Sequence, residues 1–305
     1  MPRKRKGRSV NGILLLNKPL GMTSNKALQI VKRAYGAAKA GHTGSLDPAA
    51  SGLLPICFGE ATKLSSFLLD SDKEYITTVQ LGQVTNTADA DGEVIETYNV
   101  LELVEADIYE VLKQFEGEIS QIPPMYSALK QDGKRLYELA HKGIEVEREA
   151  RLVTINSLTL LKIDDDSKQI ELQVNCSKGT YIRTLAEDIG KVLGYGGHVK
   201  TLHRIKTGPF SADDMVDFEH FDYFEGNVED LAQYLLPVDV GVLHLPKVIL
   251  TKDIAKEVLQ GQTVRISEDA PKQGLLRLYQ DSGAFLGIGF IKEEGLIAPK
   301  RLFNL

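Results

Sequence analysis

Gly41-His42-Thr43-Gly44-Ser45-Leu46-Asp47-Pro48-Ala49-Ala50-Ser51-Gly52-Leu53-Leu54-Pro55 is the stretch on which the reading of this chain turns. Its three glycines and two prolines impose an irregular backbone. A single carboxylate, Asp47, stands among Leu46, Leu53 and Leu54. A carboxylate in apolar surroundings is desolvated and needs a cation. Spacing alone also offers a plainer role, in which Asp47 caps a short helix following Pro48.

Upstream, Ile13-Leu14-Leu15-Leu16 reads as a short buried strand. Thr23 or Ser24 caps a helix with apolar positions at Leu28, Val31 and Tyr35, ended by Gly36. Residues 1–10 read as a basic, flexible arm. Downstream, residues 73–81 alternate, with Tyr75, Thr77, Val79 and Leu81 on one strand face. Ile108, Val111, Leu112 and Phe115 mark a helix closed by Gly117. Residues 130–151 are highly charged around a short helical core at Leu136, Leu139 and Ala140. Two strands are predicted over 152–163 and 169–176. A helix capped by Thr180 runs to Leu193, and 199–210 is extended. A short helix over 228–235 lies in the following acidic stretch. Pro237 and Pro246 mark a boundary near 243–247. Beyond it, a helix at 253–259 and short strands near Val264, 275–279 and 286–291 suggest a small β-rich domain. Strands and helices interleave without regular βαβ alternation, which favours a mixed α+β architecture.

The 305 residues carry 36 Lys+Arg against 42 Asp+Glu, so an acidic total argues against a nucleic-acid partner by default. Distribution matters more than the total. Residues 176–210 hold six basic residues and two acids, whereas 213–230 hold eight acids and no Lys or Arg. No apolar run approaches the roughly 18 residues of a membrane span, and no signal-peptide apolar region follows the basic start. Cys57 and Cys176 stand far apart without a partner motif, which fits a reducing cytoplasm.

Three further readings bear on chemistry. In Cys176-Ser177-Lys178-Gly179-Thr180-Tyr181-Ile182-Arg183, a cation at Arg183 opposes the helix dipole, so it is either solvated or paired with an anion. Tyr75, taken alone, reads as a packing residue. Asp89-Ala90-Asp91-Gly92 resembles part of a calcium loop, but Tyr98 falls where the bidentate Glu is required, so it reads as an Asx-type turn. The six histidines show no zinc spacing, and neither a Walker loop nor G-x-G-x-x-G is present, so no metal or nucleotide cofactor is expected.

Taken in order, Leu16-Asn17-Lys18-Pro19-Leu20-Gly21-Met22-Thr23-Ser24, the Gly41–Pro48 stretch, Lys73-Glu74-Tyr75, Ile122-Pro123-Pro124-Met125-Tyr126-Ser127-Ala128-Leu129-Lys130 and Cys176–Arg183 resemble the TruB family of tRNA pseudouridine synthases. The resemblance is continuous from about 11 to 210. The tail, with Leu286-Gly287-Ile288-Gly289 and Pro299-Lys300-Arg301-Leu302-Phe303, resembles the PUA-like RNA-binding domain of bacterial members. Ser45, Ala49, Ser51 and His203 depart from the usual family residues.

The resemblance implies a pseudouridine synthase fold: a mixed, mostly antiparallel sheet flanked by helices, plus a small C-terminal β-barrel-like PUA domain. The implied division is a basic arm (1–10), a catalytic domain (11–242) with an RNA-clamping insertion at about 121–151, and a PUA-like domain (243–305). The implied activity is isomerisation of uridine-55 in the TΨC loop of tRNA, by base flipping and an Asp-dependent exchange of glycosidic bonds, without cofactor or metal. Asp47, Arg183 and Tyr75 are carried over as catalytic. His42, Tyr75, Tyr181 and Leu202 are carried over around the flipped base. Lys18, Lys130, Lys178 and Arg204 are candidate RNA-backbone contacts. The insertion has a net charge of only +1, so its acids must face away from RNA. The expected partner is the TΨC arm of tRNA, with no membrane and no obligatory protein partner, and the expected state is a monomer. The alternative is a tRNA-binding or folding factor in which isomerisation is secondary.

Overall fold

The computed structural model describes residues 7–131, 133–265, 273–293 and 295–305. In chain order the elements are β1 (Gly12–Lys18), α1 (Ser24–Ala34), β2 (Ala40–His42), β3 (Ala50–Phe58), α2 (Ser65–Leu69) and β4 (Lys73–Leu81). A hairpin follows, β5 (Gln83–Thr85) and β6 (Val94–Thr97), then α3 (Glu105–Lys113) and β7 (Gly117–Gln121). The insertion carries β8 (Lys130–Gln131), β9 (Lys134–Arg135) and α4 (Leu136–Ala140). Then come β10 (Arg151–Asp164), β11 (Gln169–Cys176), α5 (Ile182–Val192), β12 (Gly197–Thr207), β13 (Phe210–Ser211) and β14 (Val216–Asp217). The C-terminal part holds β15 (Lys247–Leu250), α6 (Lys252–Leu259), β16 (Val264–Arg265), β17 (Leu275–Gln280), β18 (Phe285–Glu293) and β19 (Leu296–Leu302).

The main sheet runs β14-β1-β3-β12-β4-β11-β10-β7. Two of its pairings are parallel, β1 with β14 and β3 with β12, and the others along this path are antiparallel. This is the mixed, mostly antiparallel sheet expected. The second sheet, β15-β17-β18-β19-β16, curls into a half-barrel, as expected of a PUA-like unit. No helix among the described residues is long and apolar enough to cross a membrane.

β1 explains why its sequence is a continuous apolar run. Leu14 and Leu16 pack with α1 and with Phe218, Phe221 and Leu231, while Ile13 and Leu15 face a second core on the other side. A strand covered on both faces has no polar positions to alternate. That second core also takes in Ile288 and Phe303, so the C-terminal sheet shares buried surface with the main one. A third core packs α3 and α5 on β4, β10 and β11.

Several local expectations change. Residues 41–55 are a loop only at 43–49, flanked by β2 and β3, and no helix follows Pro48, so Asp47 is not a helix cap. Thr23 does cap α1, accepting from the Lys26 N–H at 3.1 Å. Thr180 does not cap α5: its hydroxyl donates to the Ser177 carbonyl, and Tyr181 takes the cap position. The turn at 228–235 is a 3-10 helix, Val228–Tyr234. β15 and β19 were not anticipated, because Pro299, Lys300 and Arg301 interrupt the apolar pattern of β19. Residues 1–6 of the arm lie outside the described residues. Arg8 is paired: its N–H donates to Gly36, its carbonyl accepts from Ala38, and its guanidinium meets Glu229 at 2.7 Å.

Candidate active site

The loop at 43–49 is pinned from three directions. Ser24, at the start of α1, donates to the Leu46 carbonyl (2.9 Å) and accepts from the Leu46 N–H (2.7 Å). Arg204 on β12, 1% exposed, donates to the carbonyls of Leu53 (2.8 Å) and Gly44 (3.1 Å). The Gly21 N–H donates to the Pro48 carbonyl at 2.9 Å. With Leu46 buried, Asp47 is turned outward, and its side chain is 48% exposed.

Arg183 meets it from the first turn of α5. Its side chain is 6% exposed, and Nη2 lies 2.9 Å from Asp47 Oδ2. Nη2 also donates to the Tyr126 carbonyl (2.7 Å), and Nη1 donates to the Thr87 carbonyl (3.2 Å) and faces Asp89 Oδ2 at 3.5 Å. A solvated Arg183 is therefore ruled out: the guanidinium fork is filled by protein. Asp89 forms the turn expected from its sequence and has a second role. It does fold back, accepting from Thr87 Oγ1 (2.6 Å) and the Asp91 N–H (3.2 Å), and its other oxygen serves Arg183. No local pattern marks that second role, because the partner lies on an element 94 residues away.

Asp47 and Arg183 line a cleft of about 1190 Å³, above the roughly 300–1,000 Å³ of small-molecule sites. His42, Thr23 and Asn25 form one side, and Asp89, Asp91 and Glu93 another. The insertion supplies Tyr126, Ser127, Lys130, Arg135, Tyr137 and His141, and none of its described acids (Glu138, Glu145, Glu147, Glu149) lines the cleft. His141 packs edge-on to Tyr126 at 5.5 Å. His42 is half-buried, its Nδ1 has no partner, and burial with the nearby Arg204 charge holds its pKa below the usual imidazole value.

The other sequence candidates divide. Tyr75 and Tyr181 are not among the cleft-lining residues; both are close enough to feel the Asp47 charge, and burial pushes both phenols up. Tyr75 pairs in register with Arg204, and Leu202 with Ala50 and Thr77. Lys130 is exposed at the cleft, and Lys178 is exposed and paired with Asp70 at 2.8 Å. Two backbone candidates are corrected. Lys18 is 0% exposed and donates to the carbonyls of Pro19 and Met22, so it cannot reach a phosphate. Burial brings its amine down to about 8, with Asp47 pulling the other way. Arg204 is equally enclosed and spends its guanidinium on the Leu53 and Gly44 carbonyls. Two of the departures from the usual family residues meet: His203 bonds Ser51 at 2.8 Å.

Solved structures share this architecture. A chain in a Cbf5–Nop10–Gar1 complex aligns with a TM-score of 0.72 at 26% identity, covering 96% of this chain and 85% of that one. A chain in an H/ACA RNP bound to a substrate RNA containing 2'-deoxyuridine aligns at 0.73 with 22% identity, covering 100% and 92%, which is a likeness of fold. The tRNA pseudouridine synthase B of Nitrosococcus oceani is 52% identical over 301 residues, covering 98% of this chain and 97% of that one. That of Pseudomonas fluorescens is 54% identical over 303 residues, covering 99% and 98%. The fold and these relatives make the chain a pseudouridine synthase, an isomerase. Residues 32–182 match the N-terminal domain of the TruB family of pseudouridylate synthases, 183–243 the tRNA pseudouridylate synthase B C-terminal domain, and 246–303 the C-terminal region of pseudouridine synthase II TruB. The chain belongs to the TruB family.

Proposed function

We propose that this chain converts uridine-55 in the TΨC loop of tRNA to pseudouridine, with Asp47 as the reacting carboxylate. The observation that carries the reading is the Asp47–Arg183 pair: one carboxylate face open to the cleft, the other against a buried cation at 2.9 Å. Relatives named tRNA pseudouridine synthase B support tRNA as the substrate.

The reaction breaks the N1–C1′ bond, turns the base and joins C5 to C1′. The C5 hydrogen leaves as a proton and N1 gains one, so no oxidant or reductant is consumed. A stacked loop base is out of reach of a protein carboxylate, so uridine must be flipped into the cleft. Tyr75 then offers an aromatic face and Leu202 an apolar one. His42, held toward its neutral form by burial, suits the space the base vacates. Asp47 either attacks C1′ or assists a glycal intermediate, with Arg183 supplying the fixed countercharge that limits reorganisation. Lys130 and Arg135 at the rim suit phosphate contacts. Recognition rests on loop shape and splayed bases.

The test is tritium release from a tRNA transcript labelled at C5 of uridine. The native protein should release one equivalent per tRNA, and Asp47→Ala none while still binding. Substantial release by Asp47→Ala would sink the assignment. Absence of release from the native protein, with binding intact, would favour a tRNA-folding role.

A further inference from the structure

Arg183 takes its position from the first turn of α5, and that turn has no cap from its own segment. The cap residue, Tyr181, makes no side-chain capping bond, and the Thr180 hydroxyl is engaged by Ser177. The turn is held instead from 60 residues away. Gln121 ends β7 and is 2% exposed. Its Oε1 accepts from the Tyr181 N–H at 3.0 Å, and its Nε2 donates to the Tyr181 carbonyl at 3.3 Å. The same carbonyl accepts the first helical bond, from Leu185 N–H, at 3.1 Å. One buried amide thus meets both backbone polar groups of the cap residue, and its bond to the cap N–H is the one a Glu or Gln within the helix makes in a capping box.

Gln121 is also the root of the insertion. Five residues on, the Tyr126 carbonyl accepts from Arg183 Nη2 at 2.7 Å. The segment that presents Lys130 and Arg135 to the cleft is therefore fastened to α5 twice, at the helix cap and at the guanidinium itself.

We propose that Gln121 is a positioning residue of the isomerisation: its amide fixes the first turn of α5 and thereby sets Arg183 against Asp47. The proposal rests on the reading of Asp47 and Arg183 given above. Misplacing a charged group by about 1 Å is enough to cost on the order of 100-fold in rate.

The experiment combines single-turnover tritium release with filter-binding affinity, using C5-labelled tRNA transcript and the full-length protein. The variants are Gln121→Met, Gln121→Glu, Arg183→Lys and the Gln121→Met/Arg183→Lys pair. Gln121→Met keeps volume and removes both bonds; its rate should fall at least about tenfold with affinity within about twofold. Gln121→Glu keeps an acceptor for the Tyr181 N–H and should recover part of that rate; it carries the comparison if the Met variant does not fold. In the Arg183→Lys background, Gln121→Met should cost less than about threefold, because lysine has no fork to aim. Native rates for both Gln121 variants, equal losses in both backgrounds, or affinity falling as far as rate would each overturn the proposal. A native rate for Arg183→Lys would instead overturn the Asp47–Arg183 reading, since that variant leaves Gln121 intact.

Discussion

Asp47 and Lys18 show how differently burial treats a charge when its partners differ. Asp47 is half in solvent and meets a cation; Lys18 is fully enclosed and meets two carbonyls. Burial holds both Lys18 and Lys73 at about 8, against 10.5 in an ordinary lysine. Above pH 8 the unfolded chain retains protons that these folded lysines release, so each adds stability as pH rises, by up to about 1.4 kcal/mol per pH unit. The buried thiols of Cys57 and Cys176, pushed up to about 12, act oppositely above pH 9. The difference between native protein and Lys18→Met therefore isolates one lysine. Urea midpoints measured from pH 8 to 10 should rise less steeply in Lys18→Met, and identical slopes would show that Lys18 does not titrate there.

At the scale of elements, the site depends on the parallel pairing of β3 and β12. Gly52 has φ +99°, and a Cβ there would stand 2.4 Å from the Arg204 carbonyl oxygen. At this close approach Arg204 reaches Leu53 and Gly44 and holds the 43–49 loop. Gly52→Ala should cost about 2–4 kcal/mol, from strained φ and forced separation of the strands, and should abolish turnover even where the protein folds. Chemical denaturation together with tritium release measures both. A fully active, equally stable Gly52→Ala protein would mean that the pairing of β3 and β12 can relax without moving Asp47. The sequence showed β4 residue for residue, because Tyr75, Thr77, Val79 and Leu81 recur at every second position. It misplaced the cap of α5, because Thr180 has the right chemistry but its hydroxyl is taken by the Ser177 carbonyl, and Gln121 meets the cap residue from another strand.

Across the whole molecule, one core spans the expected division near 243, beside a separate core of residues from 248 to 297. Ile288 and Phe303 are buried with Ile13, Leu53, Leu64 and Val242. Lys63 adds a bond to the Leu302 carbonyl at 2.8 Å, and Glu60 accepts from the Asn304 N–H at 2.8 Å. We expect the two parts to unfold together, as a single calorimetric transition. Phe303→Ala should lower stability of the whole by about 3–4 kcal/mol. Two resolved transitions, with the variant shifting only one, would show the C-terminal sheet to be energetically separate.

The architecture was legible in the chain because its information is local and periodic. β1 is a continuous apolar run, β4 alternates, α1 carries its own cap, and the Gly- and Pro-rich loop isolates one carboxylate. The family resemblance carried Asp47, Arg183 and Tyr75 on the same local stretches. Other features depended on tertiary structure. Lys18 and Arg204 look like surface cations in sequence, and only the packing of β1, β3 and β12 turns them inward. Asp89 reads as a turn residue and Gln121 carries no signal in the sequence, and only the fold brings them to Arg183 and its helix. The physical reason is that a strand or a turn is written in neighbouring residues, whereas burial and charge pairing depend on which distant segments close over a side chain.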